Sequence, residues 1–262
     1  MRIACRGLIA AGLVLLLAGA GIAAERQTGT VTGKLTHKTG TPLSGGLVFF
    51  FNQASGPPPS PEDYWRVPDE IADLDNDGRF STQLLEGVYY LGGIQRVGAR
   101  EVGPPIEGDL FLVNRDPQGK ARTFTVKAGQ QQDLGTISGA LPFGKTMKRP
   151  GITGIEGVVV GPEDKPVAGV FVFAFLTPAM VGRPLFVSEK TGPDGRFLLR
   201  LAEGGDYYLK AKELYGGGPP RQGGIIGAYG DEVPKAVTVK SGAIAKGISI
   251  KGVRFLGQGR MP

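Results

Sequence analysis

Cysteine, histidine and tryptophan are almost absent from this chain, which has one residue of each. The single cysteine, Cys5, precedes the first apolar run, so we expect a mature protein without disulfides, thiolate metal sites or a cysteine nucleophile. The single histidine, His37, is too little for a catalytic zinc site, which draws on several His or Glu ligands. These shortages predict a protein that is not an enzyme and has no transition-metal cofactor.

The first 24 residues have the three zones of a secretory signal peptide, with Arg2 and Arg6, an uncharged run over residues 7–24, and small residues before Glu25. A retained membrane anchor is the alternative, because the run approaches the ~20 residues that span a bilayer. We expect cleavage, and hence an exported protein that is periplasmic, cell-surface or extracellular. Membrane contact is expected only through this segment if it is not cleaved.

The charge of the chain is modest. Cleavage before Glu25 removes Arg2 and Arg6 from the net charge of +6 and leaves about +4. A charge this small on a long chain gives weak electrostatic steering, and no Lys/Arg run is interleaved with aromatic residues. We therefore expect no nucleic-acid partner.

One ordered set of motifs occurs twice along the chain, which predicts a tandem of two like domains. Each copy has a glycine-opened strand, a Pro-x-x-Gly turn, an aromatic strand, an Asp-Gly-Arg-Phe turn and a Tyr-Tyr-Leu segment. The first copy has the longer loop before its Asp-Gly-Arg-Phe turn. The matching positions are Gly33, Pro42, Gly45, Phe49, Asp77 and Tyr89 in the first copy and Gly157, Pro166, Gly169, Phe173, Asp194 and Tyr207 in the second.

Short alternating apolar runs predict half-buried strands; Phe197, Leu199 and Leu201, for example, share one face. Outside residues 1–24, no window predicts a long amphipathic helix. We predict an all-β protein with two tandem immunoglobulin- or prealbumin-like β-sandwiches. The predicted division is a signal peptide at 1–24, a first sandwich at 28–138, a linker at 139–150, a second sandwich at 151–252 and a tail at 253–262. The Pro- and Gly-containing linker predicts limited contact between the sandwiches.

Residues 33–48 and 157–172 look like the "G-x-V…P-x-x-G-A-x-V" opening of carboxypeptidase regulatory-like domains. Residues 191–197 and 204–209 resemble the "T-D-x-D-G-x-F" turn and the "G-x-Y-x-L" strand of that family. The resemblance covers nearly all of the mature chain and is stronger in the second copy. It implies a prealbumin-like sandwich, related to collagen-adhesin B repeats and starch-binding-like modules, and a non-catalytic part of exported proteins. It narrows the fold far more than the activity.

An Asp-rich segment in the first copy matches the first half of a calcium loop. Asp73, Asp75 and Asp77 are spaced two apart before a glycine, so their carboxylates could converge on one hard cation. The twelfth position of the loop, where a bidentate Glu is needed, is Leu84. The alternative is a turn in which the Asp side chains accept bonds from backbone N–H groups, which would explain both copies.

A Pro-rich insertion over residues 56–66 of the first copy contains Tyr64 and the single tryptophan, Trp65. On a stiff arm these rings could stack on a sugar or on a proline of a partner. The alternative is that Trp65 folds back to cover the edge of the sandwich. Tyr215 and Tyr229, in loops of the second copy, would complete such a ligand-binding set.

Together these patterns predict an exported, non-catalytic protein that acts as a binding or scaffolding accessory of an envelope or extracellular assembly. Its partner would be a protein of the cell envelope or extracellular matrix. The alternative is a carbohydrate-binding module protein, with a polysaccharide as the ligand of the four aromatic residues. Calcium is the one cofactor that the sequence leaves open.

Overall fold

The computed structural model describes residues 27–98, 102–144, 151–215, 221–230 and 233–256. The predicted signal peptide, residues 145–150 of the predicted linker and most of the predicted tail lie outside the described residues. In the part of the chain that is described, no helix is long and apolar enough to cross a membrane. The protein is all-β, as predicted, and folds into two β-sandwiches.

Each sandwich has eight strands, and the only helical segments in the described residues are two short 3₁₀ turns. The strands of the first are β1 (Thr28–His37), β2 (Leu47–Asn52), β3 (Glu70–Asp73), β4 (Arg79–Leu85), β5 (Gly87–Gln95), β6 (Leu110–Val113), β7 (Thr123–Val126) and β8 (Gln131–Pro142). Those of the second are β9 (Thr153–Val160), β10 (Phe171–Phe175), β11 (Phe186–Val187), β12 (Arg196–Leu201), β13 (Gly205–Lys212), β14 (Ile225–Ala228), β15 (Ala236–Val239) and β16 (Ile244–Arg254).

The two sandwiches have the same topology. The first has the strand order β3-β2-β5-β6-β8-β1-β4, with β7 paired to β5. The second has the order β11-β10-β13-β14-β16-β9-β12, with β15 paired to β13. Each strand of one copy thus has a counterpart eight places later, so the repeated motifs correspond to a repeated fold. Strand β8 extends to Pro142, so residues 139–142 belong to the first sandwich and not to the linker predicted for them.

The glycine that opens each copy makes room for the phenylalanine of the Asp-Gly-Arg-Phe turn. A Cβ at Gly33 would lie 2.9 Å from Cζ of Phe80, and one at Gly157 would lie 2.8 Å from Cζ of Phe197. Both rings are buried in the core of their own sandwich. The recurrence of these two residue types therefore reflects one packing contact made in each copy.

We expect Gly195→Ala to destabilise the second sandwich by about 2 to 3 kcal/mol. Gly195 has φ of +71°, and a Cβ there would lie 2.5 Å from the carbonyl oxygen of Val159. The matched control is Gly169→Ala, because Gly169 has φ of +78° but no atom within 4 Å of an added Cβ. Urea unfolding of the two variants measures the difference, and equal losses would mean that backbone strain alone accounts for the effect.

Each sandwich has its own hydrophobic core between its sheets. Phe197, Leu199 and Leu201 all point into the second core, as their alternation predicts. Strands β2 and β10 differ from this pattern, because all five residues of β10 and the first five of β2 are buried. Their outward-facing side chains are therefore buried by residues that lie outside their own sandwich.

Candidate functional site

The outer faces of β2 and β10 pack against each other and form a third hydrophobic core, which we call the shared core. This differs from the limited contact that the linker predicts. Phe49 and Phe51 of β2 belong to this core together with Phe173 and Phe175, which occupy the equivalent positions of β10. The buried members of the shared core are Leu47, Phe49, Phe51, Trp65, Val67, Tyr90, Ile94, Phe111, Phe171, Phe173, Phe175, Met180 and Val187.

Residues 56–69, which we call the strap, connect the two sandwiches by strand pairing. The amide of Val67 donates to the carbonyl of Leu185 at 3.0 Å, and the amide of Val187 donates to the carbonyl of Trp65 at 3.1 Å. The strap thus lies antiparallel along β11, the edge strand of the second sandwich. Directly after the strap the chain enters β3, which pairs with β2 of the first sandwich. Residues 65–73 therefore pair first with the second sandwich and then with the first.

Trp65 is the central side chain of the strap and is only 4% exposed. Its ring makes edge contacts with Phe49 and Phe111, at centroid distances of 5.9 and 5.6 Å. Its indole Nε1 donates to the hydroxyl of Tyr215 in the second sandwich at 3.3 Å. Tyr215 in turn packs edge-on against Phe171 at 5.7 Å. Trp65 and Tyr215 thus contact each other at the interface, where the ring of Trp65 is too buried to stack on a sugar.

A charged network surrounds the strap. Arg66 is buried, and its guanidinium donates to the carbonyl of Asn52 at 2.5 Å and to Oδ2 of Asp69 at 2.9 Å. Asp69 also accepts from Arg183 of the second sandwich at 2.8 Å. The guanidinium of Arg66 lies 5.5 Å from the ring of Phe51. The carboxylate of Asp69 therefore joins Arg66 of the strap to Arg183 of the second sandwich.

The side chain of Tyr64 packs in the core of the second sandwich, and its ring lies 5.4 Å from that of Phe186. Its hydroxyl donates to the carbonyl of Pro58 at 2.6 Å. Tyr64 is 8% exposed and therefore is not available as a surface binding residue. The remaining predicted ligand residue, Tyr229, is partly buried against the same core. The structure thus does not assemble the four aromatic residues into an exposed ligand platform.

We expect Tyr64 to make the fold sensitive to alkaline pH. Burial raises the pKa of Tyr64 from 10.0 to about 12, although the charge of Arg66 acts in the opposite direction. Between these two values the unfolded chain loses a proton that the folded protein retains, so the contribution is complete below pH 10 and is lost as pH rises toward 12. Urea midpoints measured across this range should fall less steeply for Tyr64→Phe than for the natural protein. Burial also raises the pKa values of Tyr207 and Tyr215, but these residues are present in both proteins and contribute equally to both slopes. Equal slopes would therefore contradict a role for Tyr64.

The first Gly-Pro-Pro loop, at 103–105, is a second contact between the sandwiches. A buried ion pair holds it, because Arg96 donates to Oδ2 of Asp109 at 2.5 Å and to the carbonyls of Gly103 and Pro104 at 2.5 and 2.9 Å. Asp109 also accepts from the amides of Val97 and Ile106.

The loop lines a cavity of about 250 Å³ together with Phe171 of β10. The second Gly-Pro-Pro loop, 218–220, lies outside the described residues.

The Asp-rich segment forms a turn built on one side chain. Oδ1 of Asp75 accepts from the amides of Asp77 and Arg79, at 2.9 and 2.7 Å, and Gly78 has φ of +73°. In the second copy, Asp194 likewise accepts from the amide of Arg196 at 3.1 Å. Within the residues that the structure describes, no three His, Cys, Asp or Glu side chains are grouped so that they could hold a metal ion. The contacts of Asp75 are those of the turn interpretation, and calcium binding by Asp73, Asp75 and Asp77 stays a prediction.

The predicted site residues do not include Arg66, Arg96, Asp109 or the phenylalanines of the shared core. For the phenylalanines a signal was present, because continuous apolar runs in β2 and β10 indicate strands buried on both faces. For the ion pair there was none, because Arg96 follows β5 and Asp109 precedes β6, and neither residue carries a local motif.

No protein-family model and no curated protein sequence matches this chain. Among solved structures, the minor pilin GBS52 of Streptococcus agalactiae is 16% identical with a TM-score of 0.26, over 89% of this chain and 99% of that one. A streptococcal ancillary pilin is 16% identical with a TM-score of 0.26, over 87% of this chain and 63% of that one. The Bacillus anthracis TIE protein is 14% identical with a TM-score of 0.27, over 87% of this chain and 34% of that one. The chain thus spans about a third of the TIE protein and under two thirds of the ancillary pilin. At such low identities and scores we rest no argument about function on these similarities, and the resemblance to carboxypeptidase regulatory-like domains stays a prediction.

Proposed function

We propose that this chain is an exported, non-catalytic protein that serves as a rigid double β-sandwich in an envelope or extracellular assembly, where it binds a protein partner. The observation that carries this proposal is the shared core with its strap. Two sandwiches joined only by a linker would move independently, whereas a buried aromatic interface favours one fixed relative orientation. A fixed orientation is what a scaffolding component must supply.

The contacts of the predicted polar and aromatic site residues support the same proposal. Trp65 and Tyr215 join the sandwiches, and Asp75 stabilises a turn. Each of these side chains makes contacts that stabilise the folded protein. The carbohydrate alternative is not favoured, because all four of its aromatic residues pack against the shared core or the core of the second sandwich.

Affinity capture tests the proposal. The mature protein, immobilised through its C-terminus, should retain a reproducible protein partner from native envelope or secreted fractions of the source cells. The matched control is Trp65→Ala, which we expect to loosen the arrangement of the sandwiches and to reduce retention of that same partner. Failure of the natural protein to retain any protein would contradict a binding role, and equal retention by the control would contradict the need for a fixed orientation.

A further inference from the structure

The shared core covers the equivalent faces of the two sandwiches unequally. In the first, the outward residues of β2, β5 and β6 are buried, including Phe49, Ile94 and Phe111. In the second, the β10 residues of this face are buried, but the next strands of the same face are only partly covered. Ile226 and Lys212 are half-buried, and Val253 is 61% exposed. A half-covered sheet face thus continues directly from the interface between the sandwiches.

This open part of the face carries lysines. The register pairs Lys210 with Phe173 on one side and Ala228 on the other, and Ala228 pairs with Lys251. Paired residues lie on the same face of a sheet, so Lys210 and Lys251 project to the same side. In the adjacent row Lys212 pairs with Ile226, and Ile226 pairs with Val253. We call Lys210, Lys212, Ile226, Lys251 and Val253 the lysine face.

Two positive charges of the lysine face, those of Lys210 and Lys212, are close enough for one to affect the other. Burial lowers the pKa of Lys212, and the charge of Lys210 lowers it further. The ammonium of Lys212 also lies 5.1 Å from the centroid of the Phe173 ring. One carboxylate on the same face of β13, Asp206, is held at the far end by a 2.5 Å hydrogen bond from Thr238. Lys210 and Lys251 lie in one row of the face, so an anion bound there would be attracted by both charges.

The first copy shows that lysines are not required by the fold at these positions. The counterparts of Lys210 and Lys212, which pair with the equivalent residues of β2, are Gly92 and Ile94. Ile94 is fully buried in the shared core. The same strand position is thus apolar where the other sandwich covers it and cationic where the face is open.

We propose that the lysine face binds an acidic segment of the protein partner, one in which carboxylates alternate with apolar side chains. This inference rests on the proposed function and names the chemistry of its partner. Lys210 and Lys251 would pair with the carboxylates, while Ile226 and Val253 would contact the apolar side chains. The apolar residues favour a protein over a bare polyanion, which would use only the charges. A second copy of this chain is less suited, because the groove that holds Asp73, Asp75 and Asp133 also holds Lys34 and Arg79.

The probe for this proposal is a short, fluorescently labelled peptide that alternates Glu and Val, titrated with the full-length mature protein. Binding should be saturable and should weaken as salt rises. The double variant Lys210→Ser/Lys251→Ser should bind about tenfold more weakly, because opposed charges set encounter and register. The matched control is Lys240→Ser/Lys246→Ser, which removes the same charge from exposed positions elsewhere in the second sandwich and should bind normally. Val253→Ser should weaken binding about fivefold.

Four results would overturn the proposal: no binding of the peptide, equal losses in the two lysine variants, tighter binding of dextran sulfate with no effect of Val253→Ser, or salt-sensitive self-association in light scattering that disappears in Lys210→Ser/Lys251→Ser. The third result would assign the face to a polyanion, and the fourth would assign it to a second copy. The proposed function is tested separately. If a partner is captured and its retention is unchanged in Lys210→Ser/Lys251→Ser, the scaffold role is still supported and only this binding site is ruled out.

Discussion

Replacing Trp65 with alanine should lower the free energy of unfolding by about 3 to 5 kcal/mol and separate the unfolding of the two sandwiches. The side chain is 4% exposed and contacts aromatic rings of the first sandwich and a hydroxyl of the second. Its removal leaves a cavity in the core that couples the sandwiches. We expect one cooperative transition in calorimetry for the natural protein and two for the variant, since each sandwich retains a core of its own.

Two further variants define what Trp65 contributes. Trp65→Phe keeps a ring against Phe49 and Phe111 but removes the hydrogen bond to Tyr215, so it should cost about 1 kcal/mol for the bond and retain a single transition. Val97→Ala alters a side chain that is 64% exposed and should stay within about 0.5 kcal/mol of the natural protein. A loss below about 1 kcal/mol in Trp65→Ala, with one transition retained, would show that the shared core does not couple the sandwiches.

The fold was predictable because its determinants lie within each sandwich and occur twice. Alternation placed Phe197, Leu199 and Leu201 on one buried face, and the structure confirms this. The Gly-Arg-Phe part of the turn recurs because the ring occupies space left by a glycine on the neighbouring strand. Such contacts act between strands within one sandwich, so a motif that appears in both copies records them directly.

The arrangement of the sandwiches was not predictable in the same way. The runs in β2 and β10 indicate that both faces of each strand are buried, but periodicity cannot say what covers the second face. The covering residues come from the other copy and from the strap, whose Pro-rich composition is equally typical of an exposed arm. Trp65 therefore had two interpretations, and only the docked position of the second sandwich distinguishes them.

Asp109→Asn should lower the free energy of unfolding by about 3 to 5 kcal/mol. Asp109 is fully buried and accepts hydrogen bonds from Arg96 and from the amides of Val97 and Ile106. The amide presents an NH₂ group to some of these donors and leaves the guanidinium without a countercharge, and burying an unpaired charge is costly. The Gly-Pro-Pro loop that Arg96 holds also packs near Phe171. We therefore expect weaker coupling between the sandwiches in addition to the loss of stability.

The matched control is Asp75→Asn, because Asp75 is an exposed carboxylate that accepts two backbone hydrogen bonds. It should cost no more than about 1 kcal/mol, since an amide oxygen can still accept and the charge is solvated. Removing both partners, in Arg96→Met/Asp109→Leu, should cost less than Asp109→Asn alone, because no buried charge then remains. Urea unfolding of the three variants tests this order. If the double variant is the least stable, the hydrogen bonds from Arg96 to the loop carbonyls, rather than the pairing of buried charges, hold the Gly-Pro-Pro loop against the second sandwich.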